Sequence, residues 1–79
     1  MTLDDLLNLV ATAIGPDAPA GLGQQLFAAT QAMAREANAP AEVRALGRAL
    51  NHILSGDREP DLSALPPEVA AKVRGILGG

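Results

Sequence analysis

Val43-Arg44-Ala45-Leu46-Gly47-Arg48-Ala49-Leu50-Asn51-His52-Ile53-Leu54-Ser55-Gly56 is the stretch on which the fold turns. Val43, Leu46, Leu50, Ile53 and Leu54 recur at the three- and four-residue intervals that place side chains on one face of an α-helix. The spacing predicts a helix from Pro40 or Ala41 to about Ser55, closed by Gly56. Gly47 interrupts it beside the apolar stripe, where glycine costs about 1 kcal/mol relative to alanine. That cost is offset if a second helix approaches the backbone there, which is the structural expectation; a ligand approaching the backbone is the alternative.

Downstream, Ser55-Gly56-Asp57-Arg58-Glu59-Pro60-Asp61-Leu62 reads as a linker, with Leu62 and Leu65 predicted to tuck a short helical turn under the bundle. Pro66-Pro67-Glu68 opens a last helix, since proline is tolerated in a first turn and Glu68 meets the positive end of the helix dipole. Val69, Val73, Ile76 and Leu77 form its stripe, and Gly78-Gly79 closes it. Upstream, a second helix is predicted from Asp17, or from nearer Leu22 because Gly21 and Gly23 weaken its start. Its stripe is Leu22, Leu26, Ala29, Met33 and Ala37, with Phe27 flanking, and Asn38 is expected to end it in the left-handed region before Pro40. The first helix carries a capping-box spacing at Thr2 and Asp5, acids at Asp4 and Asp5, and a face of Leu3, Leu6, Leu7, Val10 and Ile14 ended by Gly15-Pro16. No hairpin signal and no internal repeat appear. The expectation is an all-α, compact four- to five-helix bundle, with a death-fold-like arrangement as one form of it, and residues 1–79 as a single helical domain.

Composition narrows the function classes. The 79 residues include 16 alanines and 12 leucines but one phenylalanine and no tryptophan, tyrosine or cysteine. Alanine favours helix yet adds little apolar area, whereas a buried leucine contributes about 1.5–3 kcal/mol. A core this lean, without a disulfide staple or thiolate metal site, gains stability by oligomerising or docking on a larger body. The net charge of −3 resides in residues 1–37, where Asp4, Asp5, Asp17 and Glu36 face Arg35 alone; acids and bases balance in residues 38–79. No basic stripe and no aromatic platform argue for nucleic-acid binding. Acids at positions 4 and 5 oppose a secretory signal, and no apolar run approaches a membrane span, so a soluble, cytoplasmic chain is expected.

His52 has Arg48, Ala49, Ser55 and Gly56 as its helical neighbours; Ser55 is placed to hydrogen-bond to it, but no acid completes a triad. It reads as a surface histidine near a helix C-terminus, or as an interface contact. Asp57, Glu59, Asp61 and Glu68 mimic positions 1, 3, 5 and 12 of a calcium loop, but Leu62 stands where the turn needs glycine and Pro60, Pro66 and Pro67 impose another path. A solvated linker, with Arg58 screening its acids, is the expectation. Asp4 and Asp5 are adjacent, so they do not face each other. Arg44 and Arg48 share a helix face and, with Arg74, are placed to meet an acidic partner; a solvated face is the plainer reading. Gly21-x-Gly23 lacks the strand and the Lys-Ser/Thr of a phosphate loop, and no serine stands in a nucleophile-elbow or carrier-domain setting. No catalytic residue, cofactor or metal is expected.

Residues 43–62 with Leu65-Pro66-Pro67-Glu68-Val69 and Val73-Arg74-Gly75-Ile76-Leu77 resemble small helical segments appended to bacterial multidomain signalling proteins of tetratricopeptide-repeat, STAND-type NTPase and caspase-like architecture. These share a helix ending in Ile-Leu-x-Gly, an acidic-basic linker and a proline-opened helix closing in Ile-Leu. The resemblance implies an adaptor or assembly role, analogous to the death-fold modules that recruit effectors, and carries over no catalytic residue. The functional expectation is therefore a protein–protein interaction module of a bacterial signalling or defence system. Its partner would be itself, as a homo-oligomer, or an effector or sensor protein, with no nucleic acid and no membrane. Interface candidates are Phe27, Arg44, Arg48, His52, Arg58 and Arg74, with Phe27 and Met33 as apolar anchors. The alternative is a small-ligand or regulatory bundle with a pocket between alanine-rich helices.

Overall fold

The computed structural model describes residues 2–77 and holds four α-helices and no strand among them: α1 (Leu3–Ile14), α2 (Leu22–Arg35), α3 (Ala41–Leu54) and α4 (Pro67–Ile76). The all-α bundle is thus observed, with four helices among the described residues. Gly78 and Gly79, expected to close α4, lie outside the described residues.

The helix ends show why the chain folds locally as it does. At α1, the Asp5 amide donates to Thr2 Oγ1 at 3.2 Å while the Thr2 amide donates to the Asp5 carboxylate at 3.1 Å, completing the reciprocal capping box. Gly15 leaves α1 in extended backbone (φ −81°, ψ 169°), not in the left-handed region, because Pro16 disfavours a helical residue before it. Gly21 (φ 82°) supplies a left-handed turn into α2, which starts at Leu22 and not at Asp17. The expected left-handed Asn38 is corrected: among the described residues only glycines have positive φ. Glu36 ends α2 in extended backbone instead, and its carboxylate accepts from the Asn38 amide at 3.1 Å. Gly56 (φ 104°) does close α3. Its amide donates to the Ile53 carbonyl, and that of Asp57 to the His52 carbonyl at 2.9 Å, the paired bonds of a Schellman motif. Pro66 and Pro67 open α4 as the cap and first residue.

The helices share one core. Leu6, Leu7 and Val10 of α1 meet Leu26 of α2, then Leu46, Leu50 and Ile53 of α3, with Ala70 and Val73 of α4. Leu65 is buried with them, and Leu62 packs at the core edge. The two leucines are held by one hydrogen-bonded turn, Leu65 amide to Leu62 carbonyl at 3.0 Å, and not by a helix. α2 and α3 form the most extensive helix pair, an antiparallel hairpin joined by residues 36–40. α1 packs against each of the other three helices, and α4 packs on α1.

Gly47 explains how an alanine-rich hairpin closes. A Cβ placed there would lie 2.8 Å from the Ala34 amide nitrogen, 2.8 Å from Met33 Cβ and 2.8 Å from the Thr30 carbonyl oxygen. The close approach expected of Gly47 is therefore present, and α2 is the approaching helix. The predicted face of α2 needs correction: Ala29 and Ala37 are exposed, while Thr30 is fully buried beside Leu26. Burying a hydroxyl is tolerated because it is satisfied. Thr30 Oγ1 donates to the Phe27 carbonyl at 3.1 Å, and Asn51 Nδ2 of α3 donates to the same carbonyl at 3.2 Å and to Thr30 Oγ1 at 3.4 Å. Among the described residues, no helix is long and apolar enough to cross a membrane.

Candidate functional site

Three helices begin at the same end of the molecule, and an apolar cleft of about 340 Å³ lies between their first turns. Leu3 and Leu6 of α1 form one wall, and Val43 and Leu46 of α3 another. Pro66 and Val69, at the start of α4, form a third, and Met33 closes the cleft from the last turns of α2. Thr2 and Glu42 are exposed at its mouth, whereas Leu3, Met33, Val43, Pro66 and Val69 are half-buried, so the apolar surface opens to solvent. The volume falls at the low end of the roughly 300–1,000 Å³ that encloses small ligands.

The electrostatics follow from the same convergence. Each helix places acids in its first turn, Asp4 and Asp5 in α1, Glu42 in α3 and Glu68 in α4, where the helix dipole favours negative charge. Lys72 of α4 reaches Asp4 at 2.9 Å, tying α4 to α1 through an exposed pair. Asp5 accepts from the Thr2 amide, and Glu42 and Glu68 have no ion-pair partner within 4 Å among the described residues. A helix N-terminus carries roughly half a positive charge. Glu42 is the carboxylate that lines the cleft. Asp4, Asp5 and Glu68 stand in the neighbouring first turns, so this end of the molecule carries more negative charge than three N-termini and Lys72 offset.

The interface candidates named from the sequence are distributed over several elements. Arg44, Arg48 and His52 stand at successive four-residue steps of α3 and form a row along its outer flank. Like charges at that spacing disfavour a helix by a few tenths of a kcal/mol. Neither arginine has an ion-pair partner within 4 Å among the described residues, and Arg44 Nε is buried with no acceptor. Arg48 and His52 also flank a shallower depression of about 250 Å³, floored by Ala45, Ala49 and Ala64 and bordered by Asp61. His52 Nδ1 lies 3.8 Å from Asp57, and the expected bond from Ser55 is absent, because Ser55 Oγ donates to the Asn51 carbonyl at 3.0 Å. Among the described residues, Phe27 is the exposed large apolar side chain, at 37%. Arg58 is exposed in the linker and Arg74 in the last turn of α4; neither joins the α3 row through a hydrogen bond or ion pair.

The linker acids act on their own backbone. Asp57 accepts from the Glu59 amide and Asp61 from the Ser63 amide, both at 2.9 Å. The Ser63 amide, with its hydroxyl second, holds the Asp61 carboxyl below the usual carboxylate range. Among the described residues, no three His, Asp or Glu side chains are grouped to hold a metal ion.

Sequence reasoning assigned Leu3, Leu6, Val43, Leu46 and Val69 to the core and missed the cleft they enclose. Its one sequence signal is the recurrence of first-turn acids beside an apolar pair in α1, α3 and α4. No protein-family model, curated protein or solved structure matches the chain.

Proposed function

We propose that this chain is a protein–protein interaction module, an adaptor or assembly element, whose working surface is the apolar cleft at the acidic starts of α1, α3 and α4. The observation that carries this reading is an open, solvent-facing apolar concavity on a chain otherwise short of large side chains. Such a concavity suits an apolar anchor from a partner helix, in the manner of helix-in-groove recognition. Burial of the anchor supplies affinity, and Glu42 at the cleft, with Asp5 and Glu68 in the adjoining first turns, selects a partner with basic residues beside the anchor. The reading assigns no catalytic step. The resemblance read in residues 43–62, 65–69 and 73–77 to segments of bacterial signalling proteins would, if it reflects kinship, place this assembly role in a cytoplasmic signalling or defence system, by self-association or by docking to an effector or sensor.

Amide NMR of the full chain, titrated with a synthetic amphipathic helix bearing one Leu or Phe anchor between lysines, tests this reading. Shifts confined to Thr2–Leu6, Met33, Glu42–Leu46 and Pro66–Val69 are expected. Shifts elsewhere, or none at millimolar peptide, would overturn it. A second reading, a small-ligand-binding bundle, is favoured by the volume of the same cleft. It takes precedence if an uncharged apolar dye saturates the cleft at one equivalent and the peptide does not.

A further inference from the structure

We infer that the chain assembles head to tail, Phe27 of one copy seating in the apolar cleft of the next while Arg48 meets that cleft's carboxylates. This rests on reading the cleft as a docking site, and it names the occupant as a second copy. Phe27 is the sole aromatic residue of the chain, and the structure leaves it exposed on the outer flank of α2. Its surroundings suit insertion. No charged residue occurs between Asp17 and Arg35, so the face of α2 around Phe27 carries no charge to desolvate, and its polar groups are the side-chain amides of Gln24 and Gln31.

The charges beside Phe27 complement the rim of the cleft. Asn51, whose amide reaches the Phe27 carbonyl at 3.2 Å, fixes which flank of α3 lies next to it. Arg48 stands three residues before Asn51 in the same helix and is exposed without an ion-pair partner among the described residues. The cleft is lined by Glu42, and Glu68 and Asp5 stand in the adjoining first turns of α4 and α1; Glu42 and Glu68 have no ion-pair partner among the described residues. One end of the molecule thus presents an apolar concavity beside acidic first turns, and the flank of the α2–α3 hairpin presents an aromatic side chain beside an unpaired guanidinium.

A copy cannot satisfy itself. Met33, the α2 residue that lines the cleft, is six residues beyond Phe27, or about 9 Å along the helix. Used head to tail, the two patches make a heterologous contact that propagates into a ring or an open chain; a mass that stops at the dimer would overturn this arrangement in favour of reciprocal exchange about a two-fold axis. An aromatic anchor flanked by one charge contact is a small interface, and the association is expected at high protein concentration and low salt.

The test is light scattering on the full chain over a concentration series at low salt, with helicity followed by circular dichroism. The average mass of the wild type is expected to rise with concentration. Phe27→Ala, Arg48→Glu, and the pair Glu42→Arg with Glu68→Arg should each weaken association by roughly tenfold or more, the scale of an anchor residue, with helicity unchanged. Mixing Phe27→Ala with the Glu42→Arg/Glu68→Arg variant should give a species that stops at the dimer, since one brings an intact cleft and the other an intact Phe27. Combining Arg48→Glu with both rim reversals in one chain should restore assembly. A wild type that stays monomeric throughout overturns the inference, and the docking reading survives only if the lysine-flanked peptide still shifts the cleft resonances. Assembly indifferent to the rim reversals overturns it in favour of a symmetric contact through α2. Assembly that persists in Phe27→Ala overturns it as well.

Discussion

The α2–α3 pair and the α1–α4 pair are joined in opposite ways. α2 and α3 meet through backbone: Gly47 sets α3 against Thr30, Met33 and Ala34, and the Asn51 amide bridges to the Phe27 carbonyl. α1 and α4 meet through branched side chains, Leu6, Val10 and Val73 among them, with the exposed Asp4–Lys72 pair at the edge. The difference shows how a chain with few large residues builds a core. Where side-chain volume is scarce, the helices move together until main chains touch; where leucine and valine are available, ordinary packing suffices. The first solution is intolerant of added atoms and the second of removed ones.

Alanine at glycine positions breaks this comparison most sharply. Gly47→Ala should destabilise the chain by up to about 2 kcal/mol, because overpacking of about 1–3 kcal/mol is offset in part by the ~1 kcal/mol that alanine gains in helix propensity. The Cβ would meet backbone atoms of α2 at 2.8 Å, which yield only if the whole helix shifts. Gly75→Ala in α4, where a Cβ meets nothing within 4 Å, should instead stabilise by about 0.5–1 kcal/mol. Urea midpoints of the two variants moving in opposite directions are the expected outcome. A chain of 79 residues has roughly 4–12 kcal/mol in total, so both shifts are measurable. Equal signs would mean that propensity, and not helix approach, governs Gly47.

Asn51 comes next in size. Asn51→Ala removes two hydrogen bonds to α2 and should cost about 0.5–1.5 kcal/mol in urea unfolding, since the Phe27 carbonyl keeps its bond from Thr30 Oγ1. The exposed Asp4–Lys72 pair is the weaker tie. Lys72→Ala should cost at most about 0.2–1 kcal/mol at low salt, and the difference from wild type should shrink toward zero as salt is raised. A larger or salt-independent loss would show that the Lys72 stem packs on α1 and that its charge is secondary.

These sites also mark how far the sequence could be read. Helix boundaries were legible wherever the chain carries its own cap: Thr2 with Asp5, Gly56 after Ser55, and Pro67 at the start of α4. The buried face of α2 was not, because alanines occur all round it and distinguish no side. Thr30 is polar and carries no core signal, yet its hydroxyl finds a carbonyl one turn back and enters the core at little cost. Gly47 signalled a close approach without saying which helix approaches. The cleft was beyond reach for a different reason. Thr2–Leu6, Glu42–Leu46 and Pro66–Val69 are distant in the chain, and only the hairpin and the packing of α4 on α1 bring their first turns to one end.

The smallest effect lies in the linker, which belongs to neither pair and so tests whether the bundle depends on its connection. Asp61 has its folded-state pKa lowered by the Ser63 amide and hydroxyl. A carboxylate depressed by folding contributes stability above its unfolded pKa, and that contribution is lost as pH falls through the folded value. Stability should therefore decline on acidification below the ordinary aspartate range, and Asp61→Asn should decline less steeply there while matching wild type more closely at the acidic end. Urea midpoints measured from neutral pH into the acid range check this. If the two proteins run parallel, the Asx turn at Asp61 forms equally in the unfolded chain. In that case the linker follows the bundle and does not help to hold α4 on α1.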